Sequence, residues 1–165
     1  IQRKWPCTAF CRCVPLHRRS RRPGFPYGKT VQEVDDLINL AGTDRPELCQ
    51  NFSKQLFACP HSDAVIDWFK DIALSASGIG TIKCAIALRD EDGRDDLECV
   101  HVPTYIVHGN KDIIVSSELA EIQHENICNS KLISLPDSGH GIMYDQLKKF
   151  NSIFMHCITD GRTIS

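Results

Sequence analysis

VPTYIVHGNKDIIV (residues 102–115) and KLISLPDSGHGIMYDQLKKFN (residues 131–151) decide how the rest of the chain is read. Val102 to His108 is a β-branched and aromatic run with Pro103 at its beginning, the composition of a buried strand. A helical stretch follows from about Ser116 to Ile127, then a second strand at Lys131 to Leu135, then a helical period from about Met143 to Ile158. Strand, helix, strand, helix is the alternation of a parallel sheet with crossover helices. A buried parallel strand needs a neighbour on each side, so the pattern implies a sheet larger than these two strands.

The loops after both strands carry the residues of chemical interest. His108-Gly109-Asn110-Lys111-Asp112 follows the first and Ser138-Gly139-His140-Gly141 the second. In parallel sheets, functional groups collect beyond the carboxyl ends of the strands. Adjacent loops would bring the Asp112 carboxylate to the His140 imidazole, where it can orient the ring and stabilise its cation. An Asp after a strand is also a common turn former, and a histidine between glycines is also a plain loop residue. Gly139 and Gly141 are expected to allow an unusual turn and close approach of a substrate. His101 and His108 read as structural residues at strand ends.

Working back toward the N-terminus, residues 30–89 follow a helical period with legible punctuation. Thr30 with Glu33 forms a capping box before Val31, Val34, Leu37, Ile38 and Ala41, and Gly42 sits where a helix ends. Asp44 with Glu47 opens a second helix, Ser62 a third, and Ser77-Gly78 a fourth. The acidic loop Asp90 to Asp96 separates this helical layer from the strands.

The two quoted stretches resemble the last two strand-loop-helix units of the α/β-hydrolase superfamily, in the branch of small esterases, lactonases and cofactor-free haloperoxidase-like enzymes. The resemblance implies a partial α/β-hydrolase fold, in which a helical cap is followed by the last two strand-helix units of a parallel sheet. It covers about residues 22–158 and is strong from residue 97 onward. By this resemblance Asp112 is the acid and His140 the base of a Ser-His-Asp triad acting on esters, thioesters or lactones, and residues 30–89 are the cap. Asn110 stands where many relatives carry a further Asp. The family's G-x-S-x-G nucleophile motif is absent from the 165 residues. Its nearest imitation, Ser75-Ala76-Ser77-Gly78-Ile79-Gly80, has Ser75 and Ile79 in place of glycines and a helix rather than a strand leading into it, so Ser77 is not expected to be a nucleophile.

The division expected from these signals is a basic segment of unrelated origin or without order at 1–21, a cap-like region at 22–96, the C-terminal part of the hydrolase core at 97–158, and a tail at 159–165. Residues 1–30 hold eight Lys and Arg and no acid, whereas the remaining 11 of the 19 basic residues and all 21 acidic ones lie beyond. Residues 1–21 show no strand period. Cys7, Cys11, Cys13 and His17 lack the usual C-x2-C spacing, so neither a metal nor a cofactor is expected. Nine cysteines cannot pair completely within one chain, and a reducing, cytoplasmic setting fits them best. No apolar run approaches the roughly 20 residues of a membrane-spanning helix.

Three functions fit this sequence. One is family hydrolase chemistry on a small ester-like molecule, with the acid and base here and the nucleophile elsewhere, so that these residues are inactive alone. Another is a non-enzymatic interaction protein using the cap helices and sheet edge, with a complementing polypeptide or a second copy as partner. A third, nucleic-acid binding through the basic arm, is disfavoured because the arm contains no recognised module.

Overall fold

The computed structural model describes the backbone of residues 9–12 and the chain from 27 to 160. Its elements are β1 (Ala9–Arg12), α1 (Val31–Thr43), α2 (Arg45–Gln55), α3 (Asp63–Ser75), α4 (Gly78–Asp90), β2 (Thr104–Gly109), α5 (Ser117–Asn126), β3 (Ser130–Leu135), α6 (Ile142–Asp145) and α7 (Leu147–Asp160).

The sheet has the order β1-β2-β3 and is parallel throughout. All six residues of β2 are buried, which is why this run shows no alternation of apolar and polar residues. Successive side chains still point to opposite faces. Ile106 packs under α5 with Val115, Leu119, Ala120 and Ile127, while Val107 packs on the other face with Leu135, Ile142 and the partly buried Phe150 and Ile153 of α7. Full burial of each such aliphatic side chain is worth about 1.5–3 kcal/mol, so β2 anchors both layers.

The helical layer starts where the capping signals place it. The Thr30 hydroxyl accepts from the Glu33 amide at 3.2 Å, and the Thr30 amide donates to the Glu33 carboxylate at 2.6 Å. Asp44 accepts from the Glu47 amide at 3.0 Å and so opens α2. At the start of α2, Arg45 donates to the carbonyls of Ala73 at 2.9 Å and Ala76 at 2.7 Å and to the Thr81 hydroxyl at 3.0 Å. One guanidinium therefore ties α2 to the corner between α3 and α4. Arg89 of α4 pairs with Asp35 of α1, closing the layer on its other side.

Two elements differ from the sequence reading. Residues 1–21 were expected to hold no strand, yet Ala9–Arg12 pairs with β2 in the register Ala9↔Thr104 to Arg12↔Val107. Four residues are too few to show alternation, and the free edge of a buried strand supplies the partner that local pattern cannot reveal. The single helix expected from about Met143 is divided into α6 and α7 at Gln146, where φ is −131° and ψ is 54°. Polar bonding around Asp145 and Gln146, described below, accounts for the break. Cys7, Cys13, His17, residues 22–26 and the last five residues of the expected tail lie outside the described residues. Among the described residues no single helix is long and apolar enough to cross a membrane.

Candidate active site

β2 and β3 end side by side, with Gly109 opposite Leu135, and their loops are stitched together by backbone bonds. The Asn110 amide donates to the Leu135 carbonyl at 3.0 Å and the Lys111 amide to the Ser138 carbonyl at 2.9 Å. A Cβ on residue 109 would be driven into the carbonyl oxygens of Ser138 and Gly139, so only glycine admits this approach. The two loops that carry Asp112 and His140 therefore form one unit.

Within it, Asp112 divides its carboxylate between two tasks. Oδ1 accepts from the amides of Ile114 at 2.8 Å and Val115 at 3.0 Å, closing the turn into α5. Oδ2 accepts from His140 Nδ1 at 2.8 Å. Asp112 thus closes the turn with one oxygen and hydrogen-bonds the His140 ring with the other. Asp112 is 4% exposed, and burial alone would raise its pKa. The hydrogen bond and charge of His140, with the Val115 and Ile114 amides, outweigh burial and hold the carboxyl below its ordinary value, so it is ionised at neutral pH. An ionised carboxylate only accepts, so Nδ1 carries the hydrogen and Nε2 of the neutral ring keeps its lone pair. That is the tautomer of a general base.

His108 lies behind this pair, with Nε2 3.8 Å from Asp112 Oδ2 and its side chain 4% exposed. Burial pushes its pKa down against the attraction of Asp112, which keeps it neutral. His101 is exposed, and so is Asn110. Ser77 is remote in role as well as in pattern: it is the N-cap of α4, its hydroxyl accepting from the Gly80 amide at 3.1 Å.

The unusual turn expected at the glycines around His140 is not formed: among the described glycines only Gly28 has a positive φ. A Cβ at Gly139 would stand 2.9 Å from the Ala58 nitrogen and 3.0 Å from the Leu56 carbonyl, and one at Gly141 would stand 2.5 Å from a Phe57 ring carbon. The close approach is made by the chain itself, namely the connection between α2 and α3. The Gly141 amide donates to the Leu56 carbonyl at 2.6 Å across this junction.

Asp145 sits in the same junction and was not singled out from sequence. Its carboxylate accepts from the amides of Ala58 at 2.9 Å, Cys59 at 3.2 Å and Gly139 at 2.7 Å and from His61 Nε2 at 3.0 Å. Beside it, Gln146 accepts from the Ser138 hydroxyl at 3.2 Å, and these bonds take the place of a continued helix. Facing His140 from the helical layer is Phe52, whose ring lies edge-on at 6.4 Å between centroids. Phe52 also lines an apolar cavity of about 310 Å³, together with Leu37, Ala41, Leu48, Ala73 and Ala85. Among the described residues no group of three or more His, Cys, Asp or Glu is arranged to hold a metal ion.

The chain is 42% identical over 134 residues to the AB hydrolase superfamily protein YisY of Bacillus subtilis, a match covering 81% of this chain and 50% of that protein. The chain belongs to the α/β-hydrolase superfamily. Its fold superposes on an esterase from Exiguobacterium antarcticum with a TM-score of 0.81 and 42% identity, covering 85% of this chain and 52% of that one. A bromoperoxidase from Bacillus anthracis follows with a TM-score of 0.71 and 30% identity, covering 76% and 48%. The chain spans about half the length of the curated relatives it matches, 50% of YisY, and corresponds to a C-terminal portion of the α/β-hydrolase fold. No family-level sequence profile matches it.

Proposed function

We propose that these residues provide the acid and base of a serine-dependent α/β-hydrolase that cleaves small esters. The observation that carries the reading is the Asp112–His140 pair, at 2.8 Å beyond the carboxyl ends of adjacent parallel strands. In this reading His140 Nε2 takes the proton of a serine as it attacks the ester carbonyl, then returns it to the leaving alcohol, and Asp112 holds the ring and stabilises its cation. The serine and its oxyanion hole come from residues outside these 165, on the same polypeptide or on a complementing one. The apolar cavity beside Phe52 suits an ester with an apolar substituent of modest size. Among the described residues Cys49, Cys59, Cys84, Cys99 and Cys128 form no disulfide, in keeping with a reducing, cytoplasmic setting.

The test is chemical labelling. The 165 residues alone should neither react with a fluorophosphonate probe nor hydrolyse a short-chain aryl ester beyond weak imidazole catalysis. The same residues joined to the nucleophile-bearing half of a superfamily member should do both. Stoichiometric labelling of any serine in the 165-residue chain would refute the proposal.

A further inference from the structure

The bonds around Asp145 reach further than the fold. Its side chain is fully buried, and its four bonds come from two segments far apart in sequence: Ala58, Cys59 and His61 on the α2–α3 connection, and Gly139 beside His140. Four donors match the acceptor capacity of one ionised carboxylate. Burial would raise its pKa, but the Ala58, Gly139, His61 and Cys59 bonds prevail and hold it below the ordinary value. His140 therefore stands between two anchored neighbours. Gly139 is tied to the α2–α3 connection through Asp145, and Gly141 is tied to it directly through Leu56.

We propose that Asp145 is a positioning residue, holding the His140 loop against the α2–α3 connection so that Nδ1 stays directed at Asp112. The inference rests on the reading of His140 as the base. The helical layer then does more than cover the site, because the orientation of the imidazole depends on where residues 56–61 lie. An alanine at 145 would remove both acceptor oxygens, Oδ2 that holds the Ala58 and Gly139 amides and Oδ1 that holds Cys59 and His61. The Gly139 amide would lose its partner, and the His140 loop would gain freedom to turn.

The measurement uses the full chain with 15N-labelled histidine and reads the tautomer of the neutral His140 ring together with amide hydrogen exchange. The parent should carry its hydrogen on Nδ1. Asp145→Ala should give a mixture of tautomers and exchange the Gly139 amide at least about 10-fold faster, the result of losing a charge-assisted bond. A parental tautomer or parental Gly139 exchange in Asp145→Ala overturns the proposal. Asp112→Asn serves as the reference and should move the hydrogen to Nε2. If it does not, the reading of His140 as an Asp-oriented base falls, and this inference with it. Should Asp145→Ala fail to fold, His61→Phe removes one donor while leaving the His140 loop untouched. It should speed Gly139 exchange about threefold, and unchanged exchange there also overturns the proposal.

Discussion

At Asp112 one side chain serves the turn and the imidazole at once, so substitutions there separate two effects. Asp112→Asn keeps a single acceptor oxygen. If that oxygen stays with the Ile114 and Val115 amides, the NH2 faces His140 and forces the hydrogen onto Nε2, leaving no base. Turnover of an aryl ester by the assembled enzyme should fall about 10⁴-fold, the scale known for a wrong-tautomer change in a serine protease. His140→Ala should lose most activity as well, and the double variant little more, because members of such a unit are far from additive. Asn110→Ala, at an exposed position, should change kcat/KM by less than a few-fold. Near-parental turnover in His140→Ala, or equal damage from Asn110→Ala, would show the roles to be misassigned. Asp112 and His140 were legible in the sequence because each follows a strand and keeps local company with glycine. Asp145 was not, since an acid in a helix's opening turn reads as a complement to the helix dipole. Its partners at 58, 59 and 61 leave no local pattern.

The elements show where local rules suffice and where they stop. Capping signals at Thr30, Asp44 and Ser77 lie within three residues of the amides they satisfy, whereas Ser62 opens α3 without a side-chain cap bond. Replacing Thr30 by Ala should therefore cost about 0.5–2 kcal/mol, seen as a shifted urea midpoint at unchanged m. The strand β1 and the break between α6 and α7 depend on partners distant in sequence, and neither was legible. The junction of the His140 loop with the α2–α3 connection is of this second kind. Gly139→Ala would place a methyl against backbone atoms of Leu56, Phe57 and Ala58, none of which can swing aside as a side chain would. A loss of about 1–3 kcal/mol is expected from this overpacking. A variant as stable as the parent by denaturant unfolding would mean that the two segments are not held at this distance.

Across the whole molecule, three buried groups set the response of stability to acid. His108 has its pKa lowered from 6.5 by burial, so its contribution is complete above about pH 6.5 and declines as the pH falls toward its folded value. Asp112 and Asp145 are lowered from 3.8 by their bonds, so theirs is present above about pH 4 and lost as the pH falls through their folded values. Urea midpoints should therefore drop first between pH 7 and 5 and again below 4. His108→Gln should flatten the first decline and leave the second, and a midpoint that rises on acidification to pH 5 would contradict these assignments. The sheet has a consequence in time. β2 meets β3 across about 20 residues of chain, but meets β1 across about 90. Closing the longer loop costs about 1.3 kcal/mol more, and long-range pairings are slow to form. The β2–α5–β3 unit should thus assemble first, with β1 adding to a platform already built. In a refolding experiment the amides of β3 would gain protection before those of β1.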